Sequence, residues 1–151
     1  MDSIQEYHAA LNRLEANLLT PLVPGEVKSW IAIVTESAQQ VDTLLRGPVL
    51  AAQRKDYSQI GDQDKELLHR VEQMKKGDGE CLVQFEALLA RIEKIVRGAD
   101  LQSEPNETAF KVALSTVAEH GLAAVIQAKR QEKARETWLS ESFNRERGTG
   151  D

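Results

Sequence analysis

Residues 67–95 read LLHRVEQMKKGDGECLVQFEALLARIEKI. Within them Leu67, Val71, Met74, Asp78, Cys81, Phe85, Leu88, Ile92 and Ile95 follow one another by alternating steps of four and three, the spacing of a buried seam between packed helices. The one charged member, Asp78, is flanked by Gly77 and Gly79, a pattern that usually marks a turn. A turn has no reason to keep the apolar phase identical on its two sides. The spacing therefore predicts one continuous helix, distorted at most, over a stretch from about Asp62 to Arg97.

Working outward, the same periodicity recurs. Before it, a helix is predicted from about Ile4 to Leu19, opened by Ser3 with Glu6 three residues later as a capping box and ended by Pro21 and Pro24. A second helix starts at Pro24-Gly25-Glu26, with the acid in its first turn complementing the helix dipole. It continues through Trp30, Val34, Val41 and Leu45 until Gly47-Pro48 kinks or interrupts it. Ala51 and Ala52 indicate a brief resumption before Tyr57 to Gly61. After the central stretch, Gly98 to Pro105 reads as a loop, and Asn106 as the cap of a last helix from about Glu107 to Phe143. The seam of that helix is Phe110, Leu114, Val117, Gly121, Ala124, Ala128, Gln131, Arg135 and Trp138, so it turns polar for two steps near its end. The only strand candidate, Ile31 to Val34, lies inside a helical pattern.

Four amphipathic helices with short connections pack most simply as an all-α, up-down-up-down antiparallel four-helix bundle. It forms one domain over residues 1–145, followed by a flexible polar tail at 146–151.

Composition narrows the function classes. The chain has 151 residues and a net charge of -5, with no basic run interleaved with aromatics, which argues against a nucleic-acid partner. No segment reaches the roughly 18 apolar residues of a membrane span, and MDSIQEYH has no signal-peptide character. The expected setting is the cytoplasm, as a monomer or homodimer, with a protein partner left open and unidentified. Cys81, the single cysteine, can form neither an internal disulfide nor a CxxC motif. It lies 12 residues from His69 on one helix, about 18 Å, and an apolar seam raises a thiol pKa. No nucleophile elbow or phosphate loop occurs, so neither catalytic residues nor enzyme activity are predicted. Trp30 and Trp138 sit at core spacing, and KRQEKARE at 129–136 reads as a solvated face.

Antiparallel pairing places Gln131 level with about Gln73, and Arg135 with about His69. His8, with Tyr7, comes to the same end. His8, His69, Asp78, Gln131 and Arg135 are thus the candidate polar residues of one bundle layer. Such interiors can hold paired metals through Glu-x-x-His motifs, but only Glu66 to His69 matches, a spacing that arises readily by chance, and Glu119-His120 has the wrong spacing.

LLTPLVPGEVKSW at 18–30, RVEQMKKGDGECLVQFEALL at 70–89 and WLSESFNRERGTGD at 138–151 resemble a divergent branch of the bacterial hemerythrin-like proteins. The resemblance implies a four-helix bundle around a di-iron centre that binds or senses oxygen or handles iron. The matched positions depart from it. A Glu-His pair in the third helix is replaced by Gly77-Asp78, and a His followed four residues later by Glu becomes Gln131 and Arg135. The second helix offers Gly47, Pro48, Ala51 and Ala52, none of which ligates, and His8 alone remains as a ligand. Loss of the metal would leave buried carboxylates uncompensated, and Arg135 can supply the missing positive charge. The expectation is a bundle without metal or other cofactor, with Asp78, Gln131 and Arg135 networked in place of iron, acting as a non-catalytic binding or structural protein. The rivals are an iron-binding bundle using His8, Glu66, His69 and Asp78, and an adaptor docking a protein through a helix face.

Overall fold

A computed structural model describes residues 2–63, 67–101 and 107–149. Helix α1 (Ser3–Leu19) opens with a capping box, one residue earlier than expected. Asp2 Oδ1 accepts from the Gln5 backbone N–H at 2.8 Å, and Gln5 Oε1 accepts from the Asp2 N–H at 3.3 Å. Asp2-x-x-Gln5 and Ser3-x-x-Glu6 are overlapping copies of one pattern, and the first is used. After Thr20 leaves the helix, Gly25 turns the chain at φ +86, a conformation that costs only glycine nothing. Trp30 ties the turn down by donating its indole N–H to the Thr20 carbonyl at 3.0 Å. Helix α2 (Val27–Leu44) then begins with Glu26 at its N-cap, outside the first turn and without a side-chain capping bond.

Gly47-Pro48 does not end the helical run. Residues Leu45–Val49 form a π turn with helical backbone on both sides, and α3 (Leu50–Gln63) follows directly. Pro48 removes an N–H and crowds the preceding turn, and the wider π turn accommodates it. The insertion also keeps a face in phase. Val41, Leu45, Val49, Gln53 and Tyr57 are all buried at steps of four, a run that would drift by about 40° per step along a plain α-helix.

Helix α4 (Leu68–Leu101) runs unbroken through Gly77-Asp78-Gly79, as its seam predicts, and continues past Gly98, where the sequence suggested a loop. Helix α5 (Glu107–Thr149) extends beyond Phe143 into the segment expected as a tail. Asn106, its predicted cap, lies outside the described residues.

Cross-links fix the directions. Arg13 to Gln40 and Asn17 to Ser37 join α1 to α2, and Arg46 to Glu86 with Tyr57 to Asp78 join the π turn and α3 to α4. Arg70 to Glu141 and Gln84 to His120 join α4 to α5, while His8 to Glu132 and Glu15 to Lys129 close α5 onto α1. In each pair one number rises as the other falls, so neighbouring rods are antiparallel around a closed ring of four, α2 and α3 counting as one rod. No described residue is in a strand, and no described helix is long and apolar enough to cross a membrane.

The core divides in two. The larger apolar cluster includes Leu11, Leu14, Val34, Val41, Phe85, Leu88, Leu114 and Val117. The smaller one, Tyr57, Leu67, Val71 and Trp138, lies toward the start of α4. Both predicted tryptophans are buried.

Candidate functional site

Between the two clusters the seam turns polar. Asp78 on α4, Arg135 on α5 and Gln53 on α3 are 4%, 3% and 0% exposed, and burial without partners would cost each of them several kcal/mol in the charged cases. Arg135 meets that demand with three separate bonds. Its Nη2 donates to Asp78 Oδ1 at 2.5 Å, its Nε to the Tyr57 hydroxyl at 3.0 Å, and its Nη1 to Glu132 Oε1 one turn earlier on α5. The Tyr57 hydroxyl in turn donates to Asp78 Oδ2 at 2.7 Å. Gln131 Nε2 donates to Asp78 Oδ1 at 3.1 Å and to the Met74 carbonyl at 2.9 Å. Both carboxylate oxygens of Asp78 are therefore engaged.

Glu132 extends the network outward. Gln53 Nε2 donates to its Oε1 at 3.3 Å, and His8 Nε2 lies 3.3 Å from its Oε2. The Gln53 Oε1 atom is buried with no partner among the described residues. All four rods thus contribute, through His8, Gln53 with Tyr57, Asp78, and Gln131 with Glu132 and Arg135.

Electrostatics follow from this packing. Burial alone would lower the Arg135 pKa, but Glu132 and Asp78 outweigh it and the net effect is a rise, so the guanidinium is permanently charged. Burial raises the Tyr57 hydroxyl above its ordinary value although Arg135 opposes this. Tyr7, buried beside the layer, is raised by burial as well. Cys81, one turn from Asp78, is pushed up to about 12, chiefly by burial; it is a core thiol and a poor nucleophile.

Of the residues singled out from sequence, Asp78, Gln131 and Arg135 are in direct contact. Setting Arg135 level with His69 implies an axial offset of about 13 Å from Asp78, yet the two side chains meet at 2.5 Å. The register differs by about one turn, with Gln131 beside Met74 and Asp78 rather than Gln73, and the Arg135 side chain leans toward its helix N-terminus. His8 belongs only to the rim, with its side chain 49% exposed. His69 is outside the layer; it is exposed and its Nε2 lies 3.3 Å from Gln73 Nε2. Two residues from the buried Val71 on α4, it lies about 200° around the helix, on the face away from the seam. His120 pairs with Gln84 toward the other end of α5, its pKa lowered by burial and by Arg91. Glu66 lies outside the described residues.

Tyr57, Glu132 and Gln53 escaped the sequence reading. The signal for the first and last was the four-residue run from Val41 to Tyr57, masked by Gly47-Pro48. Glu132 sits within KRQEKARE, where its helical offset from Arg135 already put it on the layer's edge, so that stretch is not wholly a solvated face.

The donors of this layer, among the described residues, do not fit a di-iron centre. Among the described residues no group of three or more His, Cys, Asp or Glu side chains is placed to hold a metal ion. Asp78 and Glu132 both face the fixed charge of Arg135, which occupies the position a cation would need. No protein-family model matches the chain, and neither does any curated protein or solved structure.

Proposed function

We propose that this chain is a hemerythrin-like bundle of the divergent bacterial branch in which an arginine-centred network stands where the family holds its di-iron centre. On this reading it is a non-catalytic binding or structural protein of the cytoplasm, monomeric or homodimeric, with neither nucleic acid nor membrane as partner and a protein partner left open. The observation that carries it is the buried Arg135–Asp78 pair at 2.5 Å, drawn from the two helices whose matched positions would hold iron ligands. A guanidinium supplies one permanent positive charge, directional donors and no redox chemistry. It neutralises buried carboxylates as a metal would, without an open coordination position.

The test is metal content of protein purified without chelator, and again after anaerobic incubation with ferrous iron. Substoichiometric iron in both preparations is the expected result. Iron approaching a pair of ions per chain, with near-ultraviolet oxo-bridge absorption, would overturn the reading and return oxygen or iron chemistry to the bundle.

A further inference from the structure

The larger apolar cluster stops at the start of α3. Leu45, Val49 and Leu50 belong to it, but of the side chains at 51–60 only Gln53 and Tyr57 are buried. By contrast α1 buries Tyr7, Ala10, Leu11, Leu14 and Leu18. What fastens α3 is therefore a pair of hydrogen-bonding side chains. The Tyr57 ring adds a tilted contact with Trp138, 6.1 Å between centroids, and Ile60 is partly buried against the same small cluster.

The ionic part of the polar layer closes without α3. Arg135 holds Asp78 and Glu132, and Gln131 also holds Asp78, all of them on α4 and α5. Taking α3 away breaks only the bonds of Tyr57 to Asp78 and Arg135 and of Gln53 to Glu132, and water can serve the atoms so freed. The docked arrangement carries a cost of its own. Gln53 Oε1 on α3 and the Trp138 indole N–H, in the cluster that Tyr57 helps to close, are buried with no partner among the described residues, and such atoms weaken the state that buries them. The π turn at Leu45–Val49 supplies a pivot, because Pro48 gives no N–H to the helical ladder and π turns inside helices frequently mark functional positions.

We propose that α3 is a latch, which releases from the bundle as one unit by pivoting at the π turn while the rest of the described bundle stays folded. Segments with few buried apolar contacts are the ones that open below the free energy of global unfolding. Release takes Tyr57 off the Trp138 ring and opens the α3 side of Arg135 and Asp78 to solvent. The latch does not depend on whether the polar layer stands in place of a metal centre.

Native-state hydrogen exchange, followed residue by residue in rising sub-denaturing urea, tests this. The amides at 53–60 should exchange through one shared opening, about a hundredfold or more frequent than the opening that exposes 31–44 on α2, and with a shallower urea dependence because less surface is uncovered. Tyr57→Phe weakens the docked state alone and should raise the opening of 53–60 by about tenfold or more; exchange at 31–44 rises by the same factor, since the docked state is the reference for both. Val34→Ala alters the larger cluster, which the docked and released states share, so it should speed exchange at 31–44 and leave 53–60 unchanged. Exchange of 53–60 only at the frequency and urea slope of 31–44 would overturn the proposal. So would unrelated rates among the amides of 53–60, no response to Tyr57→Phe, or equal acceleration of both segments by Val34→Ala.

Discussion

The two halves of helix α4 bury the same seam by different physics. From Cys81 to Ile92 the seam packs into the larger apolar cluster with Leu14, Leu114 and Val117, where the requirement is mainly volume and many hydrophobic combinations would serve. One turn earlier Asp78 is held by three named donors from two helices, where the requirement is direction and charge. An apolar contact that is lost leaves a void; a lost polar partner leaves charged atoms stranded. The network is thus the more specific half of the bundle and the less forgiving one.

The largest effect expected is from Arg135→Met, which leaves Asp78 and Glu132 buried without their cation and should cost about 3–5 kcal/mol of stability in urea unfolding. Adding Asp78→Asn should recover part of that loss, because the neutral amide removes a stranded charge. Strict additivity of the two changes would break the comparison. Leu88→Ala, in the apolar half at 0% exposure, should cost about 2–5 kcal/mol through its cavity. Combined with Arg135→Met it should be additive, as the two side chains share no partner.

Tyr57→Phe removes one hydroxyl that both donates to Asp78 and accepts from Arg135, with an expected loss of about 1–3 kcal/mol. It also bears on alkaline stability. Burial raises Tyr57 and Tyr7, and pushes Cys81 from 9.0 to about 12, so the folded state holds these protons more tightly than the unfolded chain. Their contribution to stability is then level below about pH 9 and is lost as pH rises toward 12. Urea midpoints at successive pH values should trace that fall, and Cys81→Ala should flatten its beginning.

The smallest effects come from a pair of glycines on either side of Asp78. A Cβ at Gly79 meets nothing within 4 Å, so Gly79→Ala should stabilise the helix by about 0.5–1 kcal/mol. At Gly77 a Cβ would run into the Gln131 carboxamide, which is already fixed by Met74 and Asp78. Gly77→Ala should therefore destabilise by about 1 kcal/mol, and thermal melts giving the same sign for both would remove Gln131 from the network.

Much of this was legible because helical seams are local. The alternating steps from Leu67 to Ile95 carried α4 through its glycines, and the polar turn in the α5 seam picked out Gln131 and Arg135. Helix ends were less legible. Gly98 raised the local cost of helix without stopping it, and two overlapping capping patterns competed at the first residues. A register one turn off places His69 in the layer, and Gly47-Pro48, which in sequence reads as a break and in the fold is a π turn, hides Tyr57.

The all-α class, the four rods and the seam positions are written locally, since each follows from a periodicity of 3.6 residues within one segment. Which turn of α5 faces which turn of α4, and hence that Arg135 reaches Asp78 and Tyr57 at once, is set by packing between helices. That choice depends on interlocking side chains from several helices, where a slip of one turn preserves the apolar stripe almost intact but strands every buried charge.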